Sequence, residues 1–475
     1  MEQAAAKEAL AGSVRRALET GAFWLLIATL AWAPFPLGSN RPWSWSLLVL
    51  LTGACWTLWA ASAALAPRPP AQALRRVAVP VLLAGAALLW GLMQSLPILP
   101  GSWAHPIWEM AGQALSRDLA ATVSLDPWRT ATELMKLLSY AMTAWLAYAM
   151  TRSPERAALL LDSLIAIATV YALYSLIIAF ADWPQFELFY AAEAPSRGVS
   201  GPFVSRNTLA SYAGLGVLCA AVRMFALGGA TVVAERGFRT LAASTFAFVY
   251  GRGAVSVFAM LMAFSLLLAT ASRAGFAAML AGLCAVLLLA GVFVTRGARK
   301  GWPLTGTLLL IGIAVLLFQL NGADLQERLA VVLADGYRDE VRAALWSAAW
   351  RMIGDSPWLG FGLGSFEAAY PLYAEQVLPF TMDKAHNDYL ELAAGWGLPA
   401  ALTWWLAIAW LAGICVRGVA IRRRHRAYPL IAAGATALVG FHSIFDFPLQ
   451  IPAVAMTYAA ILGAGVAQSF STRES

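Results

Sequence analysis

Apolar runs of membrane-crossing length recur along the chain, broken by short polar turns. They fall at about 21–38, 44–66, 77–95, 130–150, 157–181, 206–228, 253–271, 274–295, 303–320, 387–416, 427–446 and 450–468. Each is close to the ~20 residues that carry a helix across ~30 Å of hydrocarbon, which predicts an all-α polytopic membrane protein with about twelve spans. Residues 2–19 read as a short amphipathic surface helix with Arg15 and Arg16 near lipid headgroups. Residues 97–129 form a polar interlude holding Pro97, Pro100, Pro106 and Pro127, with one helix on the surface. The longest polar insertion is 321–385, between the ninth and tenth runs. Helical periodicity covers Asp324–Ala334 and Tyr337–Ile353. Gly354-Asp355-Ser356-Pro357 then stops the helix, a glycine-rich stretch follows over Leu359–Ser365, and Ser365–Gln376 reads as a short tyrosine-rich helix. Three regions result: a membrane region over 1–320, a helical insertion over 321–385 and a second membrane region over 386–475.

Composition supports this layout. The 475 residues are 60% hydrophobic and 12% charged, more apolar surface than a soluble core needs. Many of the 20 tryptophans sit near span ends, as rings at a lipid–water interface do. The formal charge of +7 is a matter of distribution and not a sign of nucleic-acid binding. One set of alternate loops holds Arg68, Arg75, Arg76, Arg152, Arg156, Arg236, Arg239, Arg252, Arg296, Arg299, Lys300 and the cluster from Arg417 to Arg426. The other set is acidic, with Asp118, Asp126, Asp182, Glu187, Glu193 and most carboxylates of 321–385. The positive-inside rule puts the first set and both termini in the cytoplasm and the insertion outside. No small-residue cleavage site follows the first run, so a retained helix is expected and not a signal peptide. Cys55, Cys219, Cys284 and Cys415 lie in apolar runs without a CxxC pair, and read as small buried hydrophobes.

The polar residues at the mouth of the tenth run carry the chemistry. His386-Asn387-Asp388 opens it, with Lys384 and Glu391 close by. Ionisable groups at such a depth are expensive unless something uses them. Asn387 or Asp388 can cap the helix, and a helix N-terminus disfavours an imidazolium. Two readings stand for His386: a neutral general base, or an interfacial histidine that caps the helix. Arg206 and Arg273 are candidate diphosphate ligands, because a guanidinium forks onto phosphate oxygens; snorkelling to headgroups is the alternative. Arg273 sits between two spans with almost no loop. Arg342 shares a helix face with Arg338 and Trp346, and there a salt-bridged surface is the competing account. Asp446, in His442-Ser443-Ile444-Phe445-Asp446, pairs with an arginine, orients His386, or is a plain turn aspartate. With the spans oriented as above, His386, Arg206, Arg273, His442 and Asp446 all fall at outer ends. The run Gly360-Phe361-Gly362-Leu363-Gly364 lacks the ending of a phosphate loop and suits close packing or a bend. No DxD, HExxH or ligand-spaced histidine pair occurs, so no catalytic metal is expected.

HNDYLELAAGWGLP (His386–Pro399) resembles the signature of the O-antigen ligase and Wzy-type polysaccharide polymerase superfamily. FVSRNTLASY (Phe203–Tyr212), the Ser272-Arg273-Ala274 turn, the stretch from Arg342 to Phe366 ending GDSPWLGFGLGSF, and HSIFDFPLQIP (His442–Pro452) agree in order, so the resemblance covers roughly 200–452. It implies transfer of a glycan from an undecaprenyl-diphosphate carrier at the periplasmic face of a bacterial inner membrane, without metal or cofactor. By resemblance, His386 is the base that activates the acceptor hydroxyl, Arg206 and Arg273 hold the diphosphate, and attack inverts the anomeric carbon. Arg342, Asp388, His442 and Asp446 are supporting candidates. The preferred acceptor is lipid A–core, as in an O-antigen ligase; a carrier-linked repeat unit, as in a Wzy-type polymerase, is the runner-up. A lipid-linked glycan flippase is the rival of another class, weakened by the scarcity of charge within spans and by the absence of an inverted pair of broken spans.

Overall fold

A computed structural model describes residues 2–66, 71–181, 198–232, 251, 253–294, 336–375 and 382–470. The described residues form helices and turns, with no strand among them. In chain order the helices are α1 (Glu2–Trp32), α2 (Pro42–Ala64), α3 (Ala71–Arg76), α4 (Ala78–Ser95), α5 (Ile107–Leu115), α6 (Pro127–Met150), α7 (Pro154–Ala181) and α8 (Arg206–Val232). They continue with α9 (Ala254–Ala269), α10 (Arg273–Leu289), α11 (Gly336–Asp355), α12 (Phe366–Ala369), α13 (Asp388–Trp396), α14 (Leu398–Ile421), α15 (Ala427–His442) and α16 (Pro452–Ser469). Six are long and apolar enough to cross a membrane: α2, α4, α7, α8, α10 with its extension to Val294, and α14. Helices α9 and α15 are apolar but shorter. The expected run at 303–320 and the helix Asp324–Ala334 lie outside the described residues.

Helix α16 is the hub. Every one of its residues is buried, and it packs against α6, α14 and α15. A helix enclosed on all sides has to be slim, and PAVAMTYAAILGAGVAQS is built largely from small residues. Gly463 shows how close the neighbours come: a Cβ there would lie 2.2 Å from the Ala144 carbonyl oxygen on α6. Of the four cysteines, Cys55, Cys219 and Cys415 are buried as expected, but Cys284 is exposed on α10. A thiol on the outer face of a membrane helix is apolar enough to meet lipid.

Three expected helices depart from the hydrophobic pattern. Helix α1 runs unbroken through Gly21, where a surface helix and a separate span were expected. An internal glycine costs only about 1 kcal/mol, and Ala22, Phe23, Leu26 and Leu30 bury the stretch beyond it. The stretch ends at Trp32 because Pro34 and Pro36 follow. The expected single span over 387–416 is two helices, α13 and α14, broken at Gly397 (φ 79°, ψ 154°). The expected helix over Ser365–Gln376 is also shorter: α12 gives way to a 3₁₀ turn at Tyr370–Leu372, where Pro371 has no N–H to continue it.

The glycine-rich stretch explains the break. Phe361 N–H donates to the Ala394 carbonyl at 3.0 Å and Gly362 N–H to that of Gly395 at 2.9 Å. The orphan carbonyls at the end of α13 are thereby satisfied by backbone from the insertion. Gln94 and Trp90 of α4 complete the job: Gln94 Nε2 reaches the Gly395 carbonyl at 3.1 Å and Trp90 Nε1 that of Trp396 at 2.9 Å. Such backbone-on-backbone contact leaves no room for side chains. Gly360 has φ 70°, and a Cβ on it would stand 2.3 Å from the Gly395 oxygen. Gly360→Ala should therefore cost about 2–4 kcal/mol, read as a lower unfolding temperature in detergent. An unchanged temperature would mean that the insertion does not hold α13.

Candidate functional site

Helix α13 is anchored at its start by a second, distant stretch. Asn387 is the N-cap, its side-chain oxygen accepting the Leu390 N–H at 3.0 Å. Its amide nitrogen donates to the Ile444 carbonyl at 2.9 Å, and the Asp388 N–H donates to the Ser443 carbonyl at 2.9 Å. Asp388 is buried and accepts from Ser443 Oγ at 2.8 Å, Gln450 Nε2 at 3.0 Å and the Leu449 N–H at 3.3 Å. Burial pushes its carboxyl up to about 7, against these donors, which favour the ionised form. Asp388 thus fastens the turn after α15 to the start of α13, and this fastening decides where Asp446 goes.

His386 precedes the cap in a left-handed conformation, φ 52°, rare for a residue with a side chain. The turn aims its imidazole at Asp446: Nδ1 lies 3.2 Å from Asp446 Oδ1. Asp446 is fully buried, while 33% of the histidine side chain stays exposed. Its ring meets the edge of Phe447 at 4.9 Å between centroids. A carboxylate only accepts, so Nδ1 carries the hydrogen of this bond, and it is the neutral ring that then holds its lone pair on Nε2. Asp446 Oδ1 also accepts the Phe447 N–H at 3.0 Å. Burial by itself raises the Asp446 carboxyl, but the His386 hydrogen bond and the His386, His442 and Arg342 charges outweigh it and hold the pKa low. An ionised carboxylate behind a half-open imidazole is the arrangement a general base needs. Of the three readings of Asp446, the one that pairs it with His386 is the one for which a direct contact is present, at 3.2 Å.

The remaining candidates lie along one connected path. His442 is buried at the end of α15, its Nδ1 2.5 Å from Ser211 Oγ on α8. His442 Nε2 and Asp446 Oδ2 are both buried without a hydrogen-bond partner among the described residues. Arg342, on α11, acts by its charge on Asp446 and His442, which brings the insertion to the same place. Arg206 is the first residue of α8 and the exposed Arg273 the first of α10. Ser272 caps α10, accepting the Gly275 N–H at 3.1 Å, and donates to Asn207 Oδ1 at 2.9 Å. The two arginine-bearing helix starts are thereby tied side by side, and helix N-termini add further positive potential for an anion. Direct contacts therefore join His386, Asp446 and the 443–450 turn. Arg206 and Arg273 connect to them through Asn207, Ser211 and His442.

Sequence reasoning passed over Asn207, Ser211 and Gln450, each a bonding partner inside a quoted motif. It also passed over Glu133 and Lys136 on α6, which pair at 2.6 Å with Lys136 only 4% exposed. The available signal was an (i, i+3) charge pair in an otherwise apolar run. Among the described residues no group of three His, Cys, Asp or Glu side chains converges as metal ligands do.

Residues 258–405 match a protein-family model described as O-antigen ligase. No curated protein matches the chain. The matched stretch includes Arg273, Arg342, His386 and Asp388, and over those residues the chain is similar to the O-antigen ligase family.

Proposed function

From a chain with an O-antigen ligase domain over 258–405, we propose a glycosyltransferase that moves a glycan from undecaprenyl diphosphate to an acceptor hydroxyl. The acceptor is lipid A–core, and the reaction takes place at the periplasmic face of the inner membrane. The observation that carries this reading is the His386–Asp446 contact at 3.2 Å, connected through Ser211 and Asn207 to two arginine-bearing helix starts. In the proposed step His386 Nε2 takes the acceptor proton. The acceptor oxygen forms a bond to the anomeric carbon from the side opposite the diphosphate. The bond from that carbon to the carrier's phosphate oxygen breaks, and its electron pair leaves on undecaprenyl diphosphate. Inversion follows from that geometry. Asp446 stabilises the imidazolium, which then loses its proton to solvent. Arg206 and Arg273 meet the charge that develops on the leaving diphosphate, the role a divalent cation plays elsewhere. Both termini face the cytoplasm in this reading, as the arginine-rich loops require.

The test is reconstitution in liposomes with carrier-linked glycan and two acceptors offered separately, lipid A–core and a second carrier-linked unit. A single capped product on lipid A–core, undiminished by EDTA, is expected. A ladder of growing chains on the second acceptor replaces this reading with the Wzy-type polymerase. No transfer to either, with carrier lipid crossing the bilayer, replaces it with a flippase.

The arginines make a separate prediction. Arg273→Gln and Arg206→Gln each remove a charge-assisted contact, about 1.5–3 kcal/mol, or roughly tenfold to a hundredfold in donor use. Acceptor half-saturation should not move. Equal binding of carrier lipid by the variants and the unaltered protein would remove the arginines from the diphosphate site.

A further inference from the structure

Four charged side chains, none more than 14% exposed, lie in two ion pairs, one at the start of α13 and one on α6. Lys384 Nζ is 3.3 Å from Glu391 Oε1, with 12% and 5% of the side chains exposed. On α6, Lys136 Nζ is 2.6 Å from Glu133 Oε1, and Lys136 also lies over the Trp45 ring at 5.0 Å. The two pairs act on each other, since Lys384 feels Glu133 and Lys136 feels Glu391. Within these two pairs the two cations and two carboxylates balance. Burial pulls the Lys384 ammonium down, but Glu391, Glu133 and Asp383 outweigh it and raise its pKa.

Glu391 also makes a bond that a pure ion pair does not explain. Its Oε2 accepts the backbone N–H of Ala385 at 2.8 Å. Ala385 is fully buried and immediately precedes His386, whose φ of 52° is costly to maintain. On the other side of His386 the chain is fixed by the Asn387 cap and by the bond from Asp388 to Ser443. Without Glu391 nothing described on α13 holds the Ala385 side of the turn.

We propose that Glu391 is a positioning residue: anchored by Lys384 and the Glu133–Lys136 pair, its carboxylate fixes the Ala385 backbone and so aims the His386 imidazole at Asp446 and the acceptor. The inference rests on the proposed role of His386. Lys384 and the α6 pair serve to hold the Glu391 carboxylate in place, and none of the four touches a reacting atom. A displacement of the imidazole by about 1 Å is enough to cost roughly a hundredfold in rate.

The experiment compares two neutral double variants, Lys384→Met with Glu391→Gln and Lys384→Met with Glu391→Met. Both remove the ion pair, and only the glutamine retains an oxygen for the Ala385 N–H. Expected is a kcat within about threefold of the unaltered protein for the glutamine variant and a loss of roughly tenfold to a hundredfold for the methionine variant. Donor half-saturation is unchanged in both, because the diphosphate ligands lie on α8 and α10. Equal kcat in the two variants overturns the proposal. So does a donor half-saturation that rises in step with the loss, which marks a general loss of structure. If the methionine variant does not fold, Glu391→Asp retains the charge but withdraws the carboxylate from Ala385. Its kcat should then fall at constant donor half-saturation, and an unchanged kcat overturns the proposal. His386→Ala run alongside separates the two failures. An active His386→Ala sinks the proposed function, whereas an inactive one beside a fully active methionine variant sinks only the role of Glu391.

Discussion

Glycan transfer by the His386→Ala protein is expected to fall by about 10²–10⁴-fold at unchanged protein level, the usual worth of a positioned general base. The size follows from the geometry. Nδ1 is occupied by Asp446 at 3.2 Å, so only Nε2 is free to take a proton, and a third of the side chain remains open for a substrate to reach it. A cap or an interfacial anchor would behave differently. Asn387 already caps α13, so loss of the imidazole removes no helix-start hydrogen bond. The variant does leave the buried Asp446 carboxylate without its imidazole partner, so a drop in stability of about 1–3 kcal/mol is expected, with the helix start intact. Half-saturation for the donor should also hold, because the imidazole does not grip the diphosphate in this scheme. Initial rates in liposomes, normalised to folded protein, decide the matter. A variant that keeps more than a tenth of the rate takes His386 out of the chemistry.

Asp446→Asn should produce the second large loss, about 10²–10³-fold in kcat. An asparagine oxygen can accept from Phe447 and from His386 as Asp446 Oδ1 does, at 3.0 Å and 3.2 Å. What it lacks is the charge that stabilises the imidazolium formed as the acceptor proton moves. The site is fully buried, so that missing charge is poorly replaced by water. Combining Asp446→Asn with His386→Ala gives the discriminating measurement. If the two residues work as a unit, the double variant is little slower than His386→Ala alone. Multiplying losses would show that Asp446 acts elsewhere, for example through Arg342, whose charge also reaches it.

Particular residues show where sequence reading succeeds and where it stops. Helical runs were legible because an apolar stretch of fixed length is dictated by the bilayer, and helices stand where eleven of the twelve expected runs lie, the twelfth being outside the described residues. His386 stood out as a candidate because a histidine among carboxylates at the mouth of an apolar run is costly without a use. The break at Gly397 was present as a signal, since Gly-Leu-Pro is a helix stop followed by a helix start, yet a hydropathy window averages over it. Lys384 and Glu391 stood out as charges crowded near His386, whereas their pairing with each other and their coupling to Glu133 and Lys136 on α6 were not legible.

By itself, then, the order of residues determined that this chain is helical and membrane-embedded and which side chains are too polar for their surroundings. Those are local properties, set by transfer free energies and by the periodicity of one segment at a time. Only the tertiary structure decided that Asp446 meets His386, that Asn207 and Ser272 hold two arginine-bearing helix starts together, and that the glycines of the insertion close the end of α13. Each of these joins segments dozens to hundreds of residues apart. Such contacts depend on which helices pack around α16 and on which buried donors and acceptors must then find partners, and no single segment carries that information.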